Sequence, residues 1–77
     1  MVEAIVLVQA EVGESAAVAR AIAELGGVRL ADVVTGPYDV IARVEAENID
    51  ELGRMVVSSF QSVPGVTRTL TCPIIRV

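Results

Sequence analysis

The chain has 77 residues, of which 53% are hydrophobic, although it contains no Trp, one Phe and one Tyr. A domain of this size buries only about 60% of the surface that its unfolded chain exposes, so its stability alone is marginal. The single cysteine, Cys72, excludes an internal disulfide, and the absence of His argues against a metal site. We expect no cofactor, and association with further copies is the remaining way to complete an aliphatic core.

The charge balance argues against a nucleic-acid surface. Ten acidic residues outweigh the basic ones and leave a net charge of −4. The six arginines are spread singly along the chain, at Arg20, Arg29, Arg43, Arg54, Arg68 and Arg76. Nucleic-acid binding needs clustered positive charge. Met1 is followed by Val2 and Glu3 rather than by a basic leader, and no apolar run approaches the roughly 20 residues of a membrane span. We expect a cytoplasmic protein without direct nucleic-acid or membrane contact.

The first half of the chain predicts a strand followed by a helix. Residues 4–8 are a β-branched run that is apolar on both alternating sides, which is typical of a central strand. Ser15 is a candidate N-cap. The helix is indicated by apolar residues at helical spacing, namely Val18, Ile22 and Leu25. Gly26 and Gly27 end it, because glycine can adopt the left-handed conformation that closes a helix.

The remaining elements are two strands, a second helix and a last strand. Residues 28–35 and 38–46 predict strands on either side of a turn that contains Gly36 and Pro37. Asn48 or Asp50 caps the helix that follows. Its apolar stripe consists of Ile49, Leu52, Val56, Phe60 and Val63. Pro64 and Gly65 stop this helix, and residues 66–77 form the last strand. Gly53 lies inside the helix, where it costs roughly 1 kcal/mol relative to Ala.

The order β-α-β-β-α-β with short connections predicts an α+β fold of the ferredoxin-like type, with a four-stranded antiparallel sheet. This topology places the first and third strands in the middle and the second and fourth at the edges. Arg29 and Asp32 in the second strand and Pro73 in the fourth agree with edge positions. Both helices cover one sheet face. We expect the other face to be apolar, because Ile5, Leu7 and Ile41 alternate with the core residues, and to pair face to face in a homodimer, as in a dimeric α+β barrel.

The segment Val34-Thr35-Gly36-Pro37-Tyr38-Asp39-Val40 resembles the V-T-G-x-Y-D stretch of the Lrp/AsnC regulators, in their effector-binding domain known as RAM. The resemblance extends over residues 1–77 as a single ligand-binding and oligomerisation domain. Residues 4–8, 18–19 with Leu25, 64–66 and 69–71 are similar to other parts of that family. Complete regulators carry an N-terminal helix-turn-helix, so this sequence resembles the stand-alone form, without DNA binding of its own.

The resemblance implies a transcription-regulator-like module, not an enzyme. Dimers would assemble into a higher even-numbered oligomer and bind an amino acid or related small metabolite between dimers. A full-length regulator of the same family is a further candidate partner. The implied effector-binding residues are Thr35, Gly36, Tyr38, Asp39, Ile49, Thr71, Cys72 and Pro73.

In the loop, Gly36 would let backbone N–H groups approach a carboxylate, Asp39 would offset an ammonium group and Tyr38 would form a wall. The alternative is an ordinary hairpin turn in which Tyr38 packs and Asp39 bonds to backbone. Simple packing is the alternative for the other residues. Cys72 is expected to be a buried small hydrophobe, because no His or Lys is present to lower the pKa of its thiol.

Three other functions remain open. Small dimeric α+β-barrel monooxygenases and isomerases share the element order, but they usually line a pocket with His, Trp or Asn, and Asn48 is the only such residue. An ACT-like sensing domain would pair its sheets edge to edge. A ligand-free oligomerisation adaptor would keep the assembly and bind nothing.

Overall fold

The computed structural model describes residues 1–77 and has the β-α-β-β-α-β order. The elements are β1 (Val2–Ala10), α1 (Ser15–Ala23), β2 (Val28–Val33), β3 (Val40–Ala46), α2 (Ile49–Met55), a π-helical segment (Val56–Phe60) and β4 (Val66–Pro73). The strands form one antiparallel sheet in the order β2-β3-β1-β4. The predicted central and edge positions are confirmed, and Pro73 ends an edge strand. No helix is long and apolar enough to cross a membrane.

The core lies between the sheet and the helices. Every second residue of β1 and β3 points towards the helical layer, as strand geometry requires. The 14 buried residues are all hydrophobic, and no polar side chain is buried with them. Phe60 is the largest fully buried side chain, with Ile22 of α1 next in size. The predicted aliphatic core is therefore present, with its only phenylalanine at the centre.

The two helices begin in different ways. Asn48 has extended backbone and its side-chain oxygen accepts a hydrogen bond from the backbone N–H of Glu51 at 2.9 Å, so the predicted cap of α2 is confirmed. The prediction for α1 is wrong. Ser15 is already the first helical residue, and Glu14 holds the N-cap position without a side-chain bond. Glu14 has helix-like backbone angles, whereas a capping side chain needs an extended residue.

The second helical stripe is buried except at its first position. Leu52, Val56, Phe60 and Val63 are buried, but Ile49 is 57% exposed, so its predicted place in the stripe is wrong. Ile49 is the first residue of α2, beyond the part of the helix that lies over the core. Between Val56 and Phe60 the helix widens into a π-turn, closed by Gln61 N–H donating to Val56 O at 3.0 Å. A side chain at Gly53 would meet no atom within 4 Å, so nothing within the chain requires glycine there.

The strand boundaries differ from prediction around the second and last strands. β2 ends at Val33 and β3 begins at Val40, so the connection between them is longer than the turn that was expected. β4 ends at Pro73 rather than at residue 77, although Ile74 N–H still donates to Glu3 O at 2.8 Å. Gly27 has a φ of +87°, which confirms the left-handed glycine after α1.

Candidate functional site

The sheet face that the helices leave uncovered, called the open face below, has an apolar centre. Leu7 of β1 lies directly opposite Ile41 of β3 on one side and Leu70 of β4 on the other. Ile5, two residues along β1, lies opposite Cys72. The side chains at these positions are partly or largely exposed. Apolar patches on small soluble domains are common at contact surfaces.

Ion pairs border one end of the open face, next to the apolar residues Ile5, Leu7 and Ile41 that were predicted there. One oxygen of Glu3 accepts hydrogen bonds from Arg43 and from Arg76, each at 2.7 Å. Glu45 pairs with Arg29 at 3.0 Å. Glu3 and Glu45 are direct neighbours across β1 and β3, so their like charges would repel without these arginines.

The arginines favour the ionised form of Glu3. The hydrogen bond from Arg43 lowers the pKa of Glu3 below its ordinary value. Partial desolvation of the carboxylate raises this pKa, and the positive charge of Arg76 lowers it. Arg43 and Arg76 stand far apart in sequence and meet only through the fold. The open face therefore has an apolar centre and, at the Glu3 end, a border of paired charges, while Asp32 and Arg68 lie on the same face without an ion pair.

The connection between β2 and β3 forms a depression at the opposite end of the open face from Glu3. The depression has a volume of about 560 Å³ and no charged side chain in its walls. It is lined by Leu7, Val34, Thr35, Gly36, Pro37, Tyr38 and Ile41. Three of the predicted residues, Thr35, Gly36 and Tyr38, thus line one depression together with residues of β1 and β3. The contribution of Leu7 and Ile41 could be found only from the β1–β3 register, which sets them directly under the loop.

Asp39 is not part of these walls. Its carboxylate oxygen Oδ2 accepts a hydrogen bond from Ala10 N–H at 2.8 Å. Its backbone N–H donates to Val8 O at 2.8 Å, and its carbonyl oxygen accepts from Val34 N–H at 2.9 Å. Asp39 therefore bonds to backbone, as in the hairpin-turn alternative, although two of its partners belong to the distant strand β1.

The other predicted residues lie elsewhere. Thr71 and Pro73 are paired with Val6 and Ala4 on the helix-covered side of β4, whereas Cys72 between them points to the open face. Neighbouring strand residues point to opposite sides, so these three cannot face one cleft of the same chain. Cys72 is exposed, and the prediction that it is buried is wrong, because β4 is an edge strand whose open side nothing covers.

Ile49 is also remote from the loop. It follows β3, while the loop precedes β3, and the strand's seven residues span roughly 20 Å at about 3.3 Å each. Two further depressions hold none of the predicted residues. One, of about 560 Å³, lies between α2 and the glycines after α1, and one of about 400 Å³ lies beside Gln61 and the start of β4.

The sequence matches the family model described as the Lrp/AsnC ligand binding domain over residues 3–77. The chain belongs to this family. The match covers every helix and nearly every strand residue, including the loop and the depression that it forms. The family identified from the V-T-G-P-Y-D segment is therefore confirmed.

Among curated relatives, an HTH-type transcriptional regulator of Pyrococcus furiosus is 35% identical over 54 residues, which are 70% of this chain and 36% of that protein. The chain thus spans about a third of the length of such a regulator. A crystal structure of a protein from Thermus thermophilus is 38% identical with a TM-score of 0.92, covering 100% of this chain and 96% of that one.

A transcriptional regulator of Neisseria meningitidis, solved in complex with L-methionine, has the same fold. It has a TM-score of 0.81 at 16% identity, covering 97% of this chain and 50% of that chain. At this level of identity the likeness concerns the Lrp/AsnC fold alone.

Proposed function

We propose that the chain is an effector-binding and oligomerisation module of the transcription-regulator type, which senses an amino acid or a related small metabolite and does not bind DNA itself. The observation that carries the proposal is the uncharged depression that residues 34–38 form over Leu7 and Ile41. Loops held on a rigid sheet are common places for ligand contacts. Membership in a ligand-binding family and the L-methionine complex of a protein with the same fold support the same conclusion.

The open face supports a homodimer in which two sheets pack face to face. An apolar centre around Leu7, Ile41 and Leu70 with a charged border is the usual anatomy of a protein interface. Leu30 and Leu70 remain 43% and 47% exposed in the single chain, and a second sheet would cover them. A partner sheet would also border the depression and narrow its opening.

The positions of the predicted residues support assembly beyond the dimer. The single chain keeps Ile49 and Pro73 at the end of the sheet near the start of β1, remote from Tyr38 and its loop. These two groups can share one ligand only if different copies supply them. We therefore propose a higher even-numbered oligomer with the effector between dimers. A ligand that prefers one assembly would shift the population towards it.

The charges support an indirect action on DNA. Arg29, Arg43 and Arg76 are already paired with Glu45 and Glu3, so these guanidinium groups are not free for phosphates. A full-length regulator of the same family, joining this chain in mixed oligomers, would supply the DNA contact. An oligomerisation adaptor without ligand is the second candidate, and it is favoured by Asp39, the expected partner of a ligand ammonium group, whose carboxylate accepts from Ala10 N–H instead.

Native mass spectrometry of the purified chain, with and without each of the twenty amino acids, tests the proposal. An even-numbered assembly that gains ligand mass, or changes its order, with one or a few amino acids is the expected result. A stable assembly that ignores all twenty would support the adaptor instead. A monomer at micromolar concentration would overturn the assembly on which both candidates depend.

A further inference from the structure

The carboxylate of Asp39 is the only one in the connection between β2 and β3, and it does not face the depression. We propose that Asp39 is a positioning residue that locks the loop onto β1, and that the depression consequently accepts an uncharged, apolar group. The effector would then be an amino acid with an aliphatic or aromatic side chain, whose ammonium group is not held by Asp39. This inference rests on the proposed function and specifies the ligand class of the same site.

The hydrogen bond from Ala10 N–H to Asp39 lies just beyond the last paired residues of β1 and β3. The last paired residues are Val8 and Val40, so Ala10 lies two residues beyond the reach of β3. On the other side of β1, the register with β4 shifts between Gln9 and Ala10. Ala10 N–H therefore has no regular strand partner towards β3, and Asp39 Oδ2 accepts its hydrogen bond at 2.8 Å. Without that acceptor, a partly buried donor would be left unsatisfied, which is costly.

A second bond from the neighbouring residue of β1 fixes the same loop. Gln9 Nε2 donates to Pro37 O at 3.0 Å. Gln9 and Ala10 thus hold Pro37 and Asp39, the two residues on either side of Tyr38. Tyr38 lines the depression, so both bonds act on the shape of the site.

The same part of β1 is tied to the beginning of β4. Thr67 Oγ1 donates to Gln9 O at 3.2 Å, and Glu11 N–H donates to Gly65 O at 2.8 Å. The end of β1 is therefore bonded both to the connection between β2 and β3 and to the start of β4. Asp39 Oδ2 is used to order the site, and Asp39 is not among the residues that line the depression.

The remaining chemistry of the depression follows from its walls. Leu7, Ile41 and Pro37 offer apolar surface, and the polar atoms come from Thr35, Tyr38 and backbone. An ammonium or a second carboxylate would lose water there without gaining an opposite charge, which is unfavourable. An apolar side chain loses nothing comparable and gains from burial. The charged ends of an amino acid would stay at the rim, in water or against a second copy.

Two substitutions of Asp39 separate a lock from a ligand contact. Asp39→Asn removes the charge and keeps an oxygen that can accept from Ala10 N–H, whereas Asp39→Ala removes both. Glu24→Gln, at an exposed position after α1, is the control for the loss of one negative charge. Amide hydrogen exchange measured by NMR at Ala10 and Val34 reports the lock without any ligand.

Near wild-type exchange is expected in Asp39→Asn and Glu24→Gln, and exchange faster by about tenfold or more at Ala10 is expected in Asp39→Ala, as for the loss of one buried hydrogen bond. Unchanged exchange in Asp39→Ala would overturn the lock. In parallel, binding of L-leucine, L-methionine and L-phenylalanine is compared with binding of L-glutamate and L-lysine by native mass spectrometry.

Each apolar amino acid is expected to bind Asp39→Asn with an affinity within about threefold of its affinity for wild type. A lost hydrogen bond to a charged group would weaken binding more than this. Loss of L-leucine binding in Asp39→Asn with normal exchange at Ala10 would make Asp39 a ligand contact and overturn the proposal. A preference for L-glutamate or L-lysine would overturn the ligand class. If none of the five binds but another of the twenty amino acids does, the ligand class fails and the sensing function stands. The exchange data decide the lock in either case.

Discussion

The two faces of the sheet use the same strands for different purposes. On the covered face, Val6 and Val44 are completely buried under the helices. Their neighbours Leu7 and Arg43 point the other way, into a face with an apolar centre and paired charges at its border. The covered face is completed by this chain alone, because its core contains no polar group and needs no partner. The open face is not completed by this chain alone, since its apolar centre still contacts water.

This difference separates the residues that stabilise the fold from those of the proposed interface. Burial on the covered face holds the chain together, and the open face is available for association. Changes on the covered face should therefore unfold the chain, while equally severe changes on the open face should alter its mass in solution. The following predictions test that separation, beginning with the largest expected effect.

Phe60→Ala should destabilise the chain most strongly. Phe60 is fully buried at the centre of the covered face, and removing its ring leaves a cavity that costs about 3–5 kcal/mol. Phe60→Leu, which fills part of the space, should cost clearly less. Urea unfolding followed by circular dichroism measures both. Equal stability of Phe60→Ala and wild type would mean that the covered face does not hold the chain together.

Leu7→Lys should separate the copies and leave the fold of each copy in place. A charge at the centre of the open face would be buried without a partner on association, at a cost of roughly 2–5 kcal/mol. Ala17→Lys places the same charge on an exposed position of α1 and serves as the control. Light scattering should give a monomer for Leu7→Lys and the wild-type mass for Ala17→Lys. The same mass for both variants would contradict the proposed interface.

Gly53→Ala should raise stability by about 0.5–1 kcal/mol, since alanine is the better helix former. The added methyl group meets no atom within 4 Å in the chain. Gly27→Ala should do the opposite, because Gly27 has a φ of +87° and a methyl group there would lie 2.8 Å from Glu45 O. Thermal unfolding compares the two. A Gly53→Ala chain that is more stable but assembles less well would place a second copy against this side of α2.

The smallest effect should come from Glu3 and pH. Hydrogen bonding to Arg43 lowers the pKa of Glu3 below its ordinary 4.5 in the folded chain. The ion pair therefore contributes in full above that value, and its contribution is lost as pH falls below it. Glu3→Gln should reduce the change in melting temperature over this acidic range, and it should lower the melting temperature slightly near neutral pH, where the wild-type ion pair contributes in full. An unaltered pH profile would show that the border ion pairs do not contribute to folding.

Much of the fold could be predicted from local patterns. The apolar run at residues 4–8 predicts a central strand, because both of its sides are buried. Pro73 predicts an edge strand, because proline has no N–H group to donate to a neighbouring strand. The π-turn at Val56–Phe60 could not be predicted, since its apolar spacing fits an ordinary helix equally well. The predicted N-cap of α1 was wrong because capping depends on backbone angles, and those of Glu14, which holds the N-cap position, cannot be read from the sequence.

The site could be predicted only where it is continuous in sequence. Thr35, Gly36 and Tyr38 meet because they are neighbours. The floor under them, and the bond from Ala10 to Asp39, depend on strand register across 29 positions of sequence. No local pattern contains that information. Cys72 was misplaced for a related reason, because its exposure depends on nothing packing against the edge strand.

Tyr38 has one more consequence. It is the chain's only tyrosine, there is no tryptophan, and the single phenylalanine is Phe60 in the core. Nearly all intrinsic ultraviolet fluorescence must therefore originate from one ring in the wall of the depression. The molecule carries its own optical probe at this place, so arrival of an occupant, or displacement of the loop, can be followed as a change in light emission without attaching a label.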